Sequence, residues 1–364
     1  MPVLERLTAK NFRIIRELDL GFAPGINVIE GSNGSGKTSL LEMIYLLGTG
    51  KSFRTSRAAD YISAHEQRTL VTGSVRESPT SPPSMLGIEK SSKDTLCRID
   101  GQTVNAASEL ARHFSVVSLD AQAFRIMDDG PAIRRSLIDR ALFHVEPAYL
   151  DLYKRFHRAL RSRTELLKRA ATLAEGEYWN DQLAEHALAL DAARRHCVAR
   201  FNEWVNAAPS AGQWGKVSFE YRQGWRAEAD LRQLLADAWP RDVEAGTTQS
   251  GPHRAELKIL LDGRPAASVV SRGQGKLLIC ALIAAQASFI AHGTGRRPAL
   301  LIDDINAELD RESCTAALSL LLSDAGQAFV TTIEGASLTA ALPEAPAAWF
   351  HVERGSIAPA LPAS

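Results

Sequence analysis

Eight consecutive residues, Gly31-Ser32-Asn33-Gly34-Ser35-Gly36-Lys37-Thr38, restrict the folds open to this chain more than any others: they satisfy the pattern GxxxxGK[ST] in full. The extended apolar run Ile26-Asn27-Val28-Ile29 precedes them, and the helix-like stretch Ser39-Leu40-Leu41-Glu42-Met43-Ile44-Tyr45-Leu46-Leu47 follows. A strand, a glycine-rich turn and a helix in that order make a phosphate-binding loop and place it in an α/β fold. Gly31, Gly34 and Gly36 allow the tight turn that aims backbone N–H groups inward, and the helix start adds the positive end of its dipole. Lys37 is expected at the β- and γ-phosphates and Thr38 at a magnesium ion, and Ser39 completes the candidate nucleotide contacts.

Such a loop needs a carboxylate for the metal. The run Pro298-Ala299-Leu300-Leu301-Ile302 ends in Asp303-Asp304. Acids at the C-terminal end of an apolar strand emerge where open α/β sheets bind nucleotides. Asp303 is the expected metal partner, and Asp304 is placed to orient the attacking water. A third element, Val270-Ser271-Arg272-Gly273-Gln274-Gly275-Lys276, opens the apolar helix Leu277 to Ile283. Ser271 reads equally as the N-cap of a core helix or as a second anion-binding turn, shared between two copies of the chain.

At 364 residues, two lobes are expected. Lys+Arg and Asp+Glu each number 42, so net charge offers no argument for nucleic acid, and any such argument rests on local clustering. Cys97, Cys197, Cys280 and Cys314 form neither a CxxC nor a zinc spacing, which predicts reduced thiols. No run is judged to approach the roughly 18 apolar residues of a membrane span, and Met1 to Arg6 lack the apolar stretch of a signal peptide. A cytoplasmic protein with no membrane partner is expected.

Along the chain, residues 1–30 read as strands. Further strands are predicted near 69–76, 85–91, 94–100 and 115–119, with the loop Ser78 to Ser84 among them. From residue 121 to 206 the sequence is helical, with one helix from Pro131, a long one from Pro147 to about Leu173, a break at Gly176, and another over 177–206. Head sequence is predicted to return at 207, so the domains are 1–120 with 207–364, and an inserted helical lobe at 121–206. The last third alternates strand and helix, which predicts a mainly parallel sheet, with a frayed tail from Ala358.

The order of phosphate loop, Ser-Arg-Gly-Gln, apolar strand with Asp-Asp and then Glu308-Leu309-Asp310 resembles ABC-type ATPases. Thr331-Thr332 stand at the switch position where transporters usually carry histidine. Lys10-Asn11-Phe12-Arg13, Gly50-Lys51-Ser52-Phe53-Arg54-Thr55, Gly130-Pro131 with Arg134-Arg135, Thr247-Thr248-Gln249-Ser250-Gly251-Pro252-His253-Arg254 and Ser271-Arg272-Gly273-Gln274 narrow the resemblance to the RecF family, over residues 10 to 334. The resemblance implies an α/β fold with an ABC-type P-loop ATPase head, a β-subdomain and an inserted, mainly α-helical lobe. It implies ATP and Mg²⁺ as cofactors, an ATP-dependent homodimer, slow DNA-stimulated hydrolysis, and binding to gapped duplex and single-stranded DNA. RecO and RecR are the implied partners in loading RecA. It also adds Arg13, Gln122, Ser271, Gly273 and Gln274 to the nucleotide-binding candidates. Gln122 lies in Asp120 to Phe124, where the family commonly carries Pro-Glu, and it reads equally as a metal-linking glutamine or a surface residue. Asp304 is one methylene shorter than the glutamate of many ABC ATPases.

Residues 154–169 hold seven basic residues against one acid, Glu165. Lys154, Arg155, Arg158 and Arg161 are the DNA candidates there, with Arg163, Lys168 and Arg169 beside them and Arg194, Arg195 and Arg200 on the neighbouring helix. A basic helix face contacts phosphates without reading bases, and it serves equally as a solvated surface. Lys51, Arg54 and Arg57 compete for the same role. His253 and Arg254 either brace the nucleotide or hold a turn. Tyr178, Trp179 and Trp204 read as packing residues. Two other functions stand beside the RecF-like one. The nucleotide-binding subunit of an ABC transporter lacks support from the missing switch histidine and from a helical insertion of about 85 residues. A non-hydrolysing ATP-binding scaffold is disfavoured because Lys37 and Asp303 are both present.

Overall fold

The computed structural model describes residues 1–207, 215–323 and 325–361. The chain divides into two compact units, Met1–Arg125 with Val270–Ser364, and Ile126–Val269.

The first unit begins with β1 (Val3–Phe12), β2 (Ile15–Gly21), β3 (Ile26–Gly31) and α1 (Lys37–Thr49). It continues with β4 (Arg68–Arg76), β5 (Ser84–Ser91), β6 (Thr95–Ile99), β7 (Gln102–Val104), α2 (Ala107–His113) and β8 (Val116–Leu119). One antiparallel sheet has the order β2-β1-β4-β5-β6-β7. In β4 and β5, buried and half-exposed residues alternate, as expected for a sheet covered on one face.

The second unit holds α3 (Pro131–Val145), α4 (Tyr149–Lys168), α5 (Leu173–Ala207), β9 (Val217–Arg222), α6 (Leu231–Asp237), α7 (Trp239–Ala245), β10 (Glu256–Leu261) and β11 (Arg264–Pro265). Its sheet, β11-β10-β9, packs on α5, where Phe201 meets Phe219 edge-on with centroids 6.3 Å apart. That contact corrects the boundary expected at 207: residues 215–269 cluster with the helices rather than with the head. Gly176 also departs from expectation. It lies inside α5, and the chain turns instead at Arg169 to Thr172, with Ala170 left-handed at φ 52°. Glycine is required at 176 because Trp239 packs against it; a Cβ there would sit 2.0 Å from the indole.

The chain returns to the first unit with α8 (Arg272–Thr294), β12 (Ala299–Ile302), α9 (Ile305–Glu308), α10 (Arg311–Leu322), β13 (Ala328–Thr332), α11 (Gly335–Thr339), β14 (Ala348–Glu353) and β15 (Ser356–Ala360). The tail expected to fray is therefore a strand as far as Ala360, paired antiparallel with β14. The second sheet has the order β15-β14-β3-β13-β12-β8, and every pairing from β14 to β8 is parallel. β8, β12 and β13 are buried at every residue; β12 is wholly apolar, while Ser118 in β8 and Thr331 and Thr332 in β13 are buried polar residues. Helix α1 is buried nearly all round: its Leu40, Met43, Ile44 and Leu47 share one core with Leu4 and Val71 of the antiparallel sheet and with Ile29, Leu301 and Phe329 of the parallel one. Helix α8 is long and apolar enough by composition to cross a membrane, contrary to the sequence expectation, but most of that stretch is buried within the protein and it packs on α10. The four cysteines are free and buried.

Candidate nucleotide site

Strand register brings the site together. Ile302 pairs with Val330 and with Leu119, and Thr332 pairs with Glu30. The residues just beyond these pairs, Gly31, Asp303, Asp304, Asp120 and the end of β13, therefore line one edge of the parallel sheet. This is the edge where α/β proteins take nucleotides.

Gly36 has φ 123°, a backbone setting that only glycine adopts freely, and it precedes α1 without offering a side-chain cap. The first N–H groups of α1 thus keep their capacity for an anion. Lys37 is buried, and its Nζ donates to the carbonyls of Gly31 (2.9 Å) and Ser32 (3.3 Å) and lies 3.6 Å from Asp304 Oδ1. Thr38 Oγ1 donates to the Asp303 carboxylate at 3.0 Å, and Thr331 Oγ1 donates to it at 2.8 Å. The Asp304 N–H donates to Thr331 Oγ1 at 2.8 Å, so one hydroxyl ties the two acids together. Asp304 itself has φ 44°, an uncommon conformation for a residue with a side chain, and it leads directly into α9. Burial raises the Asp303 carboxyl above the ordinary aspartate range, the Thr331 and Thr38 hydroxyls oppose that shift, and the neighbouring Asp304 and Asp120 add to it.

Two features escaped the sequence reading. Asp120, buried at the end of β8, accepts from the N–H groups of Gln122 (2.8 Å) and Ala123 (3.1 Å). The signal was an acid closing an apolar strand, the same pattern that revealed Asp303. Glu42, fully buried on α1, binds the guanidinium of Arg13 and the hydroxyl of Ser52, with Arg13 Nη2 at 2.8 Å and Arg54 Nη1 at 4.0 Å. Arg13 also donates to the Asp60 carbonyl at 3.1 Å, so three of its nitrogens are engaged within the protein.

The other candidates scatter. Gln122 is exposed beside Asp120. Ser271 and Gln274 are exposed and form a capping box at the start of α8: Ser271 Oγ accepts from Gln274 N at 3.3 Å, and Gln274 Oε1 accepts from Ser271 N at 3.0 Å. Gly273 lies between them, half-buried. Of the two threonines at the switch position, Thr331 faces the acids, whereas the Thr332 hydroxyl donates to the Glu334 carbonyl at 3.0 Å. Successive residues of a strand point to opposite faces, and this separates them. Lys51, Arg54 and Arg57 are exposed, and Arg57 pairs with Asp60 at 3.1 Å.

In the second unit, Lys154, Arg155, Arg158 and Arg161 are exposed on α4, and Arg155 pairs with Asp151 at 2.7 Å. Two arginines counted with this basic face prove to be internal. Arg163 is fully buried on Asp242 (2.8 Å), and Arg194 is buried on Asp139 (2.8 Å). His253 Nε2 lies 3.0 Å from the Thr248 carbonyl and Arg194 donates to the Pro252 carbonyl at 2.7 Å, so this segment is a braced turn. Burial pushes the His253 imidazole down to about 4.

Among the described residues, no cluster of three or more His, Cys, Asp or Glu side chains forms a metal cage. The Thr38 hydroxyl and Asp303 carboxylate are hard oxygen donors, and two such ligands suit a Mg²⁺ ion that completes its shell with water and phosphate oxygens.

The family profile described as "RecF/RecN/SMC N terminal domain" matches residues 3–357. "DNA replication and repair protein RecF" of Shewanella baltica (strain OS185) is 34% identical over 360 residues, covering 97% of this chain and 98% of the relative. The protein of the same name from Thioalkalivibrio sulfidiphilus (strain HL-EbGR7) is 34% identical over 358 residues, covering 98% and 99%. This chain belongs to the RecF family. Among solved structures, "the recombination mediator protein RecF-ATP in RecFOR pathway" superposes with TM-score 0.88 at 23% identity, over 99% of this chain and 98% of that one. The Smc head domain of Pyrococcus furiosus follows at TM-score 0.53 and 17% identity, covering 99% and 96%. The fold is therefore that of the ABC-type ATPase heads shared by RecF and SMC proteins.

Proposed function

We propose that this chain is an ATP-dependent, dimerising, DNA-binding ATPase of recombinational repair and replication-fork maintenance, acting on gapped DNA with RecO and RecR to help load RecA. The observation that carries this reading is the gathering of Lys37, Thr38, Asp303, Asp304 and Thr331 at one sheet edge, while the Ser271 turn of the same unit stays exposed. Bound ATP and Mg²⁺ supply the transferable phosphoryl group and the charge that offsets its oxygens. Lys37 exchanges its loop carbonyls for phosphate oxygens, and the α1 N–H groups receive the rest of the phosphate charge. Asp303 and Thr38 would hold the metal. Asp304, tied to Thr331, orients the attacking water, and its short side chain fits slow turnover.

Ser271 Oγ accepts one hydrogen bond inside its own turn, which leaves its proton for an acceptor outside the chain. That acceptor is the γ-phosphate held by Lys37 of a second copy, so nucleotide joins two heads and hydrolysis releases them. DNA lies along α4. Lys154, Arg158 and Arg161, at i, i+4 and i+7, share a face and have no hydrogen bond or ion pair among the described residues. Such a face meets phosphates without reading sequence.

The test is Ser271→Arg, with ATP binding and solution mass measured on the same preparation. ATP binding by the monomer is expected to persist while the ATP-dependent dimer disappears. A variant that still dimerises on ATP contradicts the shared site.

A further inference from the structure

Lys276 sits one helical turn beyond the exposed Ser271-Arg272-Gly273-Gln274 turn, and its side chain points across to a different element. Its Nζ donates to the Glu308 carbonyl at 2.5 Å and pairs with Glu308 Oε2 at 2.7 Å. A third neighbour is the ring of Phe124, whose centroid lies 5.8 Å from the ammonium. Each of these neighbours is joined along the chain to an acid at the sheet edge. Glu308 ends α9, the short helix that begins straight after Asp304. Phe124 is buried in the turn that follows Asp120 and Gln122. The ammonium thus meets a helix C-terminal carbonyl, a carboxylate and an aromatic face, all of which favour a cation.

We propose that Lys276 is a positioning residue that couples a head's own nucleotide site to the Ser271 turn it presents to a second copy. The proposal rests on the shared-site reading above. Asp304 is held left-handed by its place between Thr331 and α9, so a shift of its carboxylate moves α9 as a short rigid piece. Glu308 carries that shift to Lys276, and Lys276 carries it to the first turn of α8. Among the described residues, no other side chain bonds to Glu308. Occupancy of the Lys37 site and readiness of the Ser271 turn therefore become one equilibrium, and a head without nucleotide presents its turn poorly.

The experiment uses the full chain and compares wild type, Lys276→Met, Lys276→Arg and Glu308→Gln. ATP·Mg²⁺ binding is measured by calorimetry at a concentration where the protein is monomeric, and the ATP-dependent dimer constant by sedimentation. Lys276→Met is expected to leave monomer binding within about twofold and to weaken the dimer by about ten- to a hundredfold, the range of ordinary coupling between sites. Lys276→Arg restores most of the dimer, and Glu308→Gln, which keeps the carbonyl contact, lies in between. Equal dimer constants for wild type and Lys276→Met overturn the proposal. Loss of monomer ATP binding in both Lys276→Met and Glu308→Gln also overturns it, since Lys276 then only maintains the fold. A wild type that stays monomeric with ATP refutes the shared site instead, so the two failures are distinguishable.

Discussion

Arg163→Met should unfold the second unit far more readily than any surface change on the same helix. Arg163 is fully buried, and four partners surround its guanidinium: Asn180 Oδ1 at 2.6 Å, Asp242 Oδ2 at 2.8 Å, Thr248 Oγ1 at 2.7 Å and the Leu235 carbonyl at 3.1 Å. The Trp239 ring stacks over it at 5.0 Å. Methionine keeps much of the apolar stem but leaves the Asp242 carboxylate, itself fully buried, with only the backbone N–H of Gln249 at 3.3 Å among the described residues. Removing one member of a buried pair costs about 3–5 kcal/mol, because the other charge is stranded. Measured against a total stability of about 5–15 kcal/mol, that is a large fraction. Urea denaturation followed by tryptophan fluorescence measures it. Arg163→Lys should fall between the two, since one ammonium cannot reproduce a planar fork with several partners. A loss below about 1 kcal/mol for Arg163→Met would refute the structural role and return Arg163 to the DNA-facing set.

Three further outcomes are expected. Gly176→Ala places a methyl 2.0 Å from the Trp239 indole, costs about 1–3 kcal/mol, and is partly relieved by Trp239→Leu in the same chain; additive effects of the two changes would contradict the contact. His253 has its folded pKa depressed to about 4 from 6.5, so the unfolded chain binds more protons between those values. Stability is therefore complete above about pH 6.5 and is lost as pH falls towards 4, by up to about 1.4 kcal/mol per unit; His253→Gln flattens that slope, and an unchanged slope counts against the buried neutral imidazole. Replacing Lys154, Arg158 and Arg161 together by Ala should reduce the salt dependence of duplex binding, log Kd against log salt, by about 2.7, with thermal stability little changed; an unaltered slope removes α4 from the DNA surface.

The strand–loop–helix around Gly31 to Thr38 and the Asp303–Asp304 strand end are legible in the sequence because each is a local pattern of neighbouring residues in fixed order. What was missed depends on contacts far apart in sequence. Arg163 and Arg194 look like members of a basic face, since a run of charge does not say which side chains have a buried partner; theirs are Asp242 and Asp139. Gly176 looks like a helix breaker until Trp239, more than sixty residues later, is seen packed against it. The second unit extends to Val269 rather than ending before 207 because β9 packs on α5 through Phe219 and Phe201. Thr331 and Thr332 are indistinguishable as a dipeptide, and only strand alternation assigns the first to the acids. Asp120 was within reach, as the same strand-end pattern that revealed Asp303.

The most direct test is the solution mass of the full chain without nucleotide and with ATP·Mg²⁺, each with and without a gapped DNA duplex. A monomer that becomes a dimer with ATP, and a tighter dimer on DNA, is the expected result. A monomer under all four conditions, with no DNA bound, would contradict it.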